Sequence, residues 1–415
     1  MSSAFSFFSF FPYPALPLGK STGLQIAHVL SVVILVTQLI RHAWLPRTAV
    51  KFYFIWMLPL LLSASFGTAS ETVWNATAMT GVALLATVAG SAVADRLPFH
   101  RILTWSAAAI LLQSALGVVQ QISYQMEHFP FAWLFVNPSF APLDTEAAQN
   151  VFAVYTKRSF GLFPEPSAMF ASVGPWLVIL LGLALFPSDK RVLSFSRRGF
   201  YLGSVIAGTF MIYLSRTGGA VILLCGFLPV IMRFMFVESK KGGLVRASRV
   251  IGIIVVMLYI GDLMFEVWTS RLDSLDDKDA SWNVRMASLI FGITASLNAG
   301  EMSTILFGYG LDQVVVLSSR ATGGETVHSV LIGYVMGTGL VGVGALFWCF
   351  SLIYRSIASS RQKLVGLSVL FVWLCCGGFV TGYNQLLPMW IILGVLLRWG
   401  RIFPIEAGRV WRERG

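Results

Sequence analysis

Three side chains, Arg216, Arg285 and His328, could carry chemistry because of where they lie in an otherwise apolar chain. Arg216 stands in Ser-Arg-Thr-Gly-Gly, between two apolar stretches with almost no loop around it. A charge there is costly unless it is paired or lies in a wet cavity, and the guanidinium fork suits phosphate oxygens. Arg285 lies on the polar side of a predicted helix over residues 282–297, where the ordinary interpretation is a solvated side chain. For Arg216, the ordinary interpretation is a side chain that extends to the membrane–water interface and anchors the topology there.

His328 lies where a long loop returns to an apolar stretch. Histidine changes its charge most easily near neutral pH, which suits a general base, although a lone histidine at a helix start is often only a polar cap. Glu325, three residues earlier, could orient it.

A second set of candidates borders the same apolar stretches. Arg158 and Glu165 enclose Ser-Phe-Gly-Leu-Phe-Pro just before an apolar run, and they could form an ion pair beside a proline-defined helix start. Gly-Tyr-Gly around Tyr309 predicts a tight turn that allows close backbone approach. The one Asp-x-Asp stretch, Asp277-Lys278-Asp279, lies in a charged run that is typical of a solvated loop, and there is no Cys/His cluster. The sequence therefore predicts neither a metal nor another cofactor.

The elements that must position these residues are predicted to be membrane helices. The chain is 56% hydrophobic and 12% charged, whereas a soluble protein carries about 25% charged residues. Its apolar runs approach the roughly 20 residues that cross a bilayer. We expect an all-α, polytopic membrane bundle of about eleven helices (ten to twelve), forming one integral membrane domain over residues 1–415. The predicted spans are 24–40, 52–67, 73–94, 101–120, 167–186, 199–214, 217–236, 250–266, 329–354, 364–380 and 384–398.

The basic residues predict an orientation rather than a nucleic-acid partner. Of the 30 lysines and arginines, twenty-one fall on one set of connections together with the C-terminal tail, eight fall on the other set, and Arg233 lies near a helix end on the side of the first set. The positive-inside rule therefore puts the C-terminus in the cytoplasm of a multi-pass inner-membrane protein. The two long loops, 121–166 and 267–327, then face the periplasm. The second contains the predicted short helix and would carry part of an active site.

Taken in order, these stretches resemble the O-antigen polymerase and O-antigen ligase superfamily of bacterial envelope glycosyltransferases. The resemblance covers about residues 158–340, and the surrounding helix pattern is in keeping with it. Ser329 departs from the pattern, because many members carry asparagine there. The matching residues are Arg158 with Gly161-Leu162-Phe163 and Glu165-Pro166-Ser167, Ser215-Arg216-Thr217-Gly218-Gly219, Arg285 before Gly308-Tyr309-Gly310, and His328-Ser329-Val330-Leu331 followed by Gly337-Thr338-Gly339-Leu340-Val341-Gly342.

The resemblance implies a membrane glycosyltransferase with a GT-C-like fold and a periplasmic active site. It would need no metal, cofactor or nucleotide sugar, and its donor would be a polyprenyl-diphosphate-linked glycan. Arg216 and Arg285 would hold the diphosphate and His328 would sit at the reacting centre. The expected partners are the glycan donor and acceptor, the lipid bilayer, and flippase and chain-length regulator proteins. Further substrate contacts would come from Arg158, Glu165, Tyr309 and Glu325.

Three functions remain open at this point. A polymerase joining lipid-linked repeats into a surface polysaccharide or exopolysaccharide leads, because Gly-Leu-Phe-x-Glu-Pro-Ser resembles exopolysaccharide polymerases more than ligases. The alternative is a ligase that moves a finished glycan from the lipid carrier to lipid A-core or another acceptor. A flippase or transporter for the same lipid-linked sugar would carry charges inside its spans, and here the spans are almost bare.

Overall fold

The computed structural model describes most of the apolar part of the chain, and the described part is mostly helical. The residues described are 1–13, 15–17, 23–41, 45–66, 71–96, 99–124, 126, 158–186, 195–237, 294, 301–311, 329–380 and 385–405. The helices are α1 Ser2–Phe8, α2 Ile26–Ile40, α3 Arg47–Phe66, α4 Glu71–Arg96, α5 Phe99–Tyr124, α6 Pro166–Leu185, α7 Phe195–Leu214, α8 Gly219–Val237, α9 Met302–Phe307, α10 Val330–Ala358, α11 Lys363–Cys375, a π-helical turn Cys376–Val380, α12 Leu387–Leu396 and α13 Trp399–Ile402.

The helix pattern supports a membrane-embedded, helical bundle. In the described ranges, six helices are long and apolar enough to cross a membrane: α3, α4, α5, α6, α10, and α11 with its π-helical turn. Helices α2, α8 and α12 are apolar but shorter. Described helices lie over ten of the predicted spans, and the span 250–266 falls outside the described residues. The total of about eleven crossings stays a prediction.

The N-terminal segment packs into the bundle. Helix α1 contacts α5, and the strands Ala15–Pro17 and Gly23–Gln25 pair as a small antiparallel hairpin that the sequence pattern did not predict. Phe10 is fully buried, with its ring centroid 5.9 Å from that of Trp176. The Phe10 carbonyl accepts a hydrogen bond of 2.7 Å from Gln113 Nε2. This segment is therefore part of the core that α5 and α6 share.

Helix α6 is the central element of the bundle. It is apolar on all sides, which is typical of a helix buried on every face. In its most apolar stretch of 18 residues, 94% of the residues are buried. Its neighbours are α7, α8 and α11. Small residues bring these helices close: Gly208 of α7 faces Leu177, and Gly182 faces Val365 of α11. The burial reaches the start of the helix, because Pro166 and Ser167 are buried as well.

Helix α10 is broken near its beginning. Gly339 has φ +62° and ψ −153°, which is not helical, so α10 consists of a half-helix Val330–Thr338 and a longer second part. Ser329 caps the half-helix, since its Oγ accepts the Ile332 N–H at 3.0 Å. The same hydroxyl donates to the Gly377 carbonyl at 3.1 Å, in the π-helical turn after α11. The first residues of α10 are thus tied to the end of α11.

Candidate functional site

The segment from Arg158 to Glu165 is held along α5 by glutamine side chains. Gln120 Oε1 accepts the N–H groups of Phe160 and Gly161 at 3.1 and 2.9 Å, and its Nε2 donates to the Gly161 carbonyl at 2.7 Å. Two turns away, Gln113 Oε1 accepts the Leu162 N–H at 2.8 Å. An amide side chain can donate and accept together, so these two residues replace the backbone partners that an irregular buried segment lacks.

Gly161 makes this path possible. Its φ of +60° lies in the left-handed region, which glycine adopts at no steric cost. A Cβ at this position would overlap Gln113 Oε1. The sequence shows the glycine, but only the fold shows that it faces the glutamine that holds the next residue.

Glu165 lies at the start of the enclosed helix α6. It is 7% exposed and occupies the N-cap position, where its carbonyl accepts the Met169 N–H at 3.0 Å. Its side-chain Oε1 accepts a short hydrogen bond from the Ser167 hydroxyl. A carboxylate near a helix N-terminus is favoured by the helix dipole, which offsets part of the cost of burial. The structure therefore places a buried acidic group at the C-terminal end of this segment, where α6 begins.

Arg216 has the only positive φ among the described non-glycine residues, at +48°. Such a conformation in a residue other than glycine costs roughly 1–3 kcal/mol and tends to occur at functional sites. Its side chain is exposed, whereas its neighbours Ser215 and Thr217 are buried. Within the described residues, the guanidinium makes no hydrogen bond or ion pair. The turn between α7 and α8 thus presents a strained, available cation.

A backbone hydrogen bond joins the two arginine-bearing segments. The Ser159 N–H donates to the Leu214 carbonyl at 3.4 Å. Arg158 directly precedes Ser159 in the chain, and Arg216 lies two residues after Leu214. The Ser159 hydroxyl also donates to the Gly117 carbonyl of α5 at 2.7 Å. The structure therefore brings Arg158 and Arg216 to one end of the bundle, where α5 and α7 end and α8 begins. We call this the arginine end.

Tyr309 belongs to a separate group of contacts. Its backbone N–H donates to the Met336 carbonyl at 3.0 Å, beside the break in α10, and its side chain is half-buried. The preceding helix α9 packs on α3, with the rings of Phe66 and Phe307 stacked at 5.3 Å. Since Phe66 ends α3, this group lies at the end of the bundle where α10 begins. The Gly-Tyr-Gly turn predicted from the sequence is present.

Three predicted site residues, Arg285, Glu325 and His328, lie outside the described residues. Ser329 follows His328 in the chain, and its hydrogen bonds to Ile332 and Gly377 fix the start of α10. The π-helical turn that contains Gly377 packs against α6. The start of α10 is therefore linked through this turn to the helix that begins beside Glu165.

Sequence reasoning missed Gln113, Gln120 and Ser159. The signal was present, because two glutamines seven residues apart lie on one face of a largely apolar helix, and polar residues inside membrane helices are usually functional or paired. In the described ranges, no group of three His, Cys, Asp or Glu side chains could hold a metal ion. No protein-family model, curated protein or solved structure matches this chain.

Proposed function

We propose that this protein polymerises polyprenyl-diphosphate-linked oligosaccharide repeats into a surface polysaccharide or exopolysaccharide, by glycosyl transfer at the periplasmic face of the inner membrane. One observation carries the proposal. An exposed arginine in a strained backbone conformation lies at the same end of the bundle as a second arginine and a buried carboxylate. Several apolar helices support a membrane setting, which a lipid-linked donor requires.

The cations suit the leaving group of this reaction. When the bond between the sugar C1 and the diphosphate oxygen breaks, the diphosphate leaves with the bonding electron pair and its charge must be stabilised. A guanidinium offers bidentate, charge-assisted hydrogen bonds to phosphate oxygens. Arg216 fits this role because its side chain is exposed and makes no hydrogen bond or ion pair in the described parts of the chain. In the proposal Arg285 contributes the second cation.

The acceptor hydroxyl forms the new bond to C1 and loses a proton. A general base that takes this proton typically accelerates such a reaction 10²–10⁴-fold. In the proposal this base is His328, and Glu325 orients it. Arg158, Glu165 and Tyr309 contact the glycan or its phosphates. The hydrogen bonds of Ser329 support this assignment, because they fix the chain position that directly follows the histidine.

The test is the length of the polysaccharide made by a deletion strain that carries Arg216→Asn. Asparagine tolerates a positive φ, so this change removes the charge without removing the turn conformation. Removing one such transition-state contact typically lowers the rate 10²–10³-fold, and we expect single-repeat material in place of long chains. Arg355→Asn is the matched control. Arg355 is also an exposed arginine, and it lies in the last turn of α10, at the other end of that helix from Ser329.

The gel separates the candidate functions. Long chains restored by the wild-type gene and by Arg355→Asn, but not by Arg216→Asn at equal protein level, support the polymerase and its arginine. Long chains that persist on the carrier lipid in the deletion strain would replace the polymerase with the ligase. Normal chains with Arg216→Asn would remove Arg216 from the site.

A further inference from the structure

The break in α10 leaves backbone groups that need partners from elsewhere. A membrane helix satisfies its carbonyls internally, and a break is tolerated only where other groups replace the lost partners. Gly339 interrupts the ladder, so the last carbonyls of the half-helix Val330–Thr338 have no continuing turn to bond to. These carbonyls lie within the bundle, where Met336 and Gly337 are buried.

The replacement partners come from two other elements. The turn after α9 supplies two N–H groups: Tyr309 donates to the Met336 carbonyl at 3.0 Å, and Gly310 donates to the Gly337 carbonyl at 3.1 Å. From α3, the Ser63 hydroxyl donates to the same Gly337 carbonyl at 2.5 Å. Three donors from outside α10 therefore cap the half-helix.

In this cap, the backbone of the turn after α9 lies directly against the backbone of α10, so that glycines are needed where the two segments meet. A Cβ on Gly339 would lie 2.6 Å from the Ile305 carbonyl oxygen and 2.7 Å from the Gly308 nitrogen. A Cβ on Gly308 would overlap the backbone at Gly337. Gly308 and Gly339 both have positive φ, at +76° and +62°. By contrast, a Cβ on Gly344, in the second part of α10, would meet nothing within 4 Å.

We infer that Ser63, Gly308 and Gly339 form a joint that locks the half-helix Val330–Thr338 to α9. They are positioning residues: the joint sets the place of Tyr309 and holds one end of the half-helix, while Ser329 holds the other end. Its importance for catalysis rests on the proposed function, but the joint itself does not. Because the turn that carries Tyr309 is bonded to α10 through this joint, loss of the joint separates Tyr309 from α10.

The test measures how fast a water-soluble maleimide labels a cysteine at position 309 in the protein purified in detergent. The background carries Ala in place of the four native cysteines, and Tyr309→Cys is added to it. We expect Gly339→Ala to speed labelling at least tenfold, because the added methyl group pushes the turn off α10. Gly344→Ala is the matched control on the same helix and should leave the rate within twofold. Ser63→Ala removes one of the three donors without adding bulk and should give a smaller increase.

Chain length measured on the same glycine variants, in the chain that keeps Tyr309 and its native cysteines, separates the joint from the function. Faster labelling together with lost long chains, in Gly339→Ala but not in Gly344→Ala and at equal membrane levels, supports the joint and its positioning role. Faster labelling with normal chains would leave the joint standing and overturn its catalytic role. Unchanged labelling in Gly339→Ala overturns the joint. If deletion of the gene leaves polysaccharide normal, the proposed function fails, and the labelling still decides the joint.

Discussion

Replacing Gln120 tests whether the arginine end is held together as the structure indicates. Gln120→Ala removes three hydrogen bonds, two accepted from the N–H groups of Phe160 and Gly161 and one donated to the Gly161 carbonyl. Each such bond contributes about 1 kcal/mol net, and more where the abandoned group stays buried. We therefore expect a local loss of about 3 kcal/mol for the segment that joins Arg158 to Glu165.

Hydrogen exchange of a peptide that covers residues 158–165 measures this loss directly. About 1.4 kcal/mol is a factor of ten, so about 3 kcal/mol corresponds to roughly a hundredfold faster exchange. This applies to the N–H groups of Phe160 and Gly161, which donate to Gln120 Oε1. Gln120→Met preserves most of the side-chain volume and removes the same bonds, so it should match Gln120→Ala. The matched control is Gln121→Ala, which removes only one bond of 3.2 Å from Ser159. We expect less than a tenfold change there.

Two results would refute this reasoning. Exchange that is unchanged in Gln120→Ala would mean that the amide does not hold the segment. Slow exchange in Gln120→Met combined with fast exchange in Gln120→Ala would show that packing volume, rather than hydrogen bonding, holds it. Neither result depends on what the protein does, so the measurement is independent of the proposed function.

Two further substitutions test the local geometry by thermal melting in detergent. Gly161→Ala should destabilise the protein by at least about 1–3 kcal/mol, because the residue has a positive φ and the methyl group overlaps Gln113; Gly203→Ala, where a Cβ meets nothing within 4 Å, should be neutral or slightly stabilising. Equal melting of these two variants would contradict the left-handed turn. Ser329→Ala should cost about 1 kcal/mol through the lost helix cap, whereas Ser329→Asn should keep the cap and melt like the wild type. A wild-type melting temperature for Ser329→Ala would show that the cap contributes little.

Much of the helical framework could be predicted from the sequence. A membrane helix satisfies its own backbone, so its position is set by a local property, the length of an uncharged apolar run. This is why the predicted spans 73–94 and 167–186 agree closely with the helices Glu71–Arg96 and Pro166–Leu185. The turn at Arg216 and the tight turn at Tyr309 were likewise predictable, because their glycines are local signals.

The tertiary structure decided what these local signals could not. The pattern of Val330–Ala358 is that of one continuous apolar helix, and only contact with α9 and α3 shows that it is broken at Gly339. The donors involved are far away in the chain: Ser63 is 274 residues from Gly337. The same holds for the arginine end, where Gln120 bonds to Gly161 across 41 residues.

Which residues are buried was also decided by the tertiary structure. The sequence indicated that Glu165 could pair with Arg158 beside a helix start, but it did not predict that the fold encloses Glu165 at the start of α6. The N-terminal segment, rich in aromatic residues, packs against α5 and α6 rather than only preceding the first span. Composition and spacing determine which residues enter the membrane and which turns carry charge. Which of those turns meet, and which polar groups are enclosed, depends on contacts between residues distant in sequence, and these form only when the helices pack.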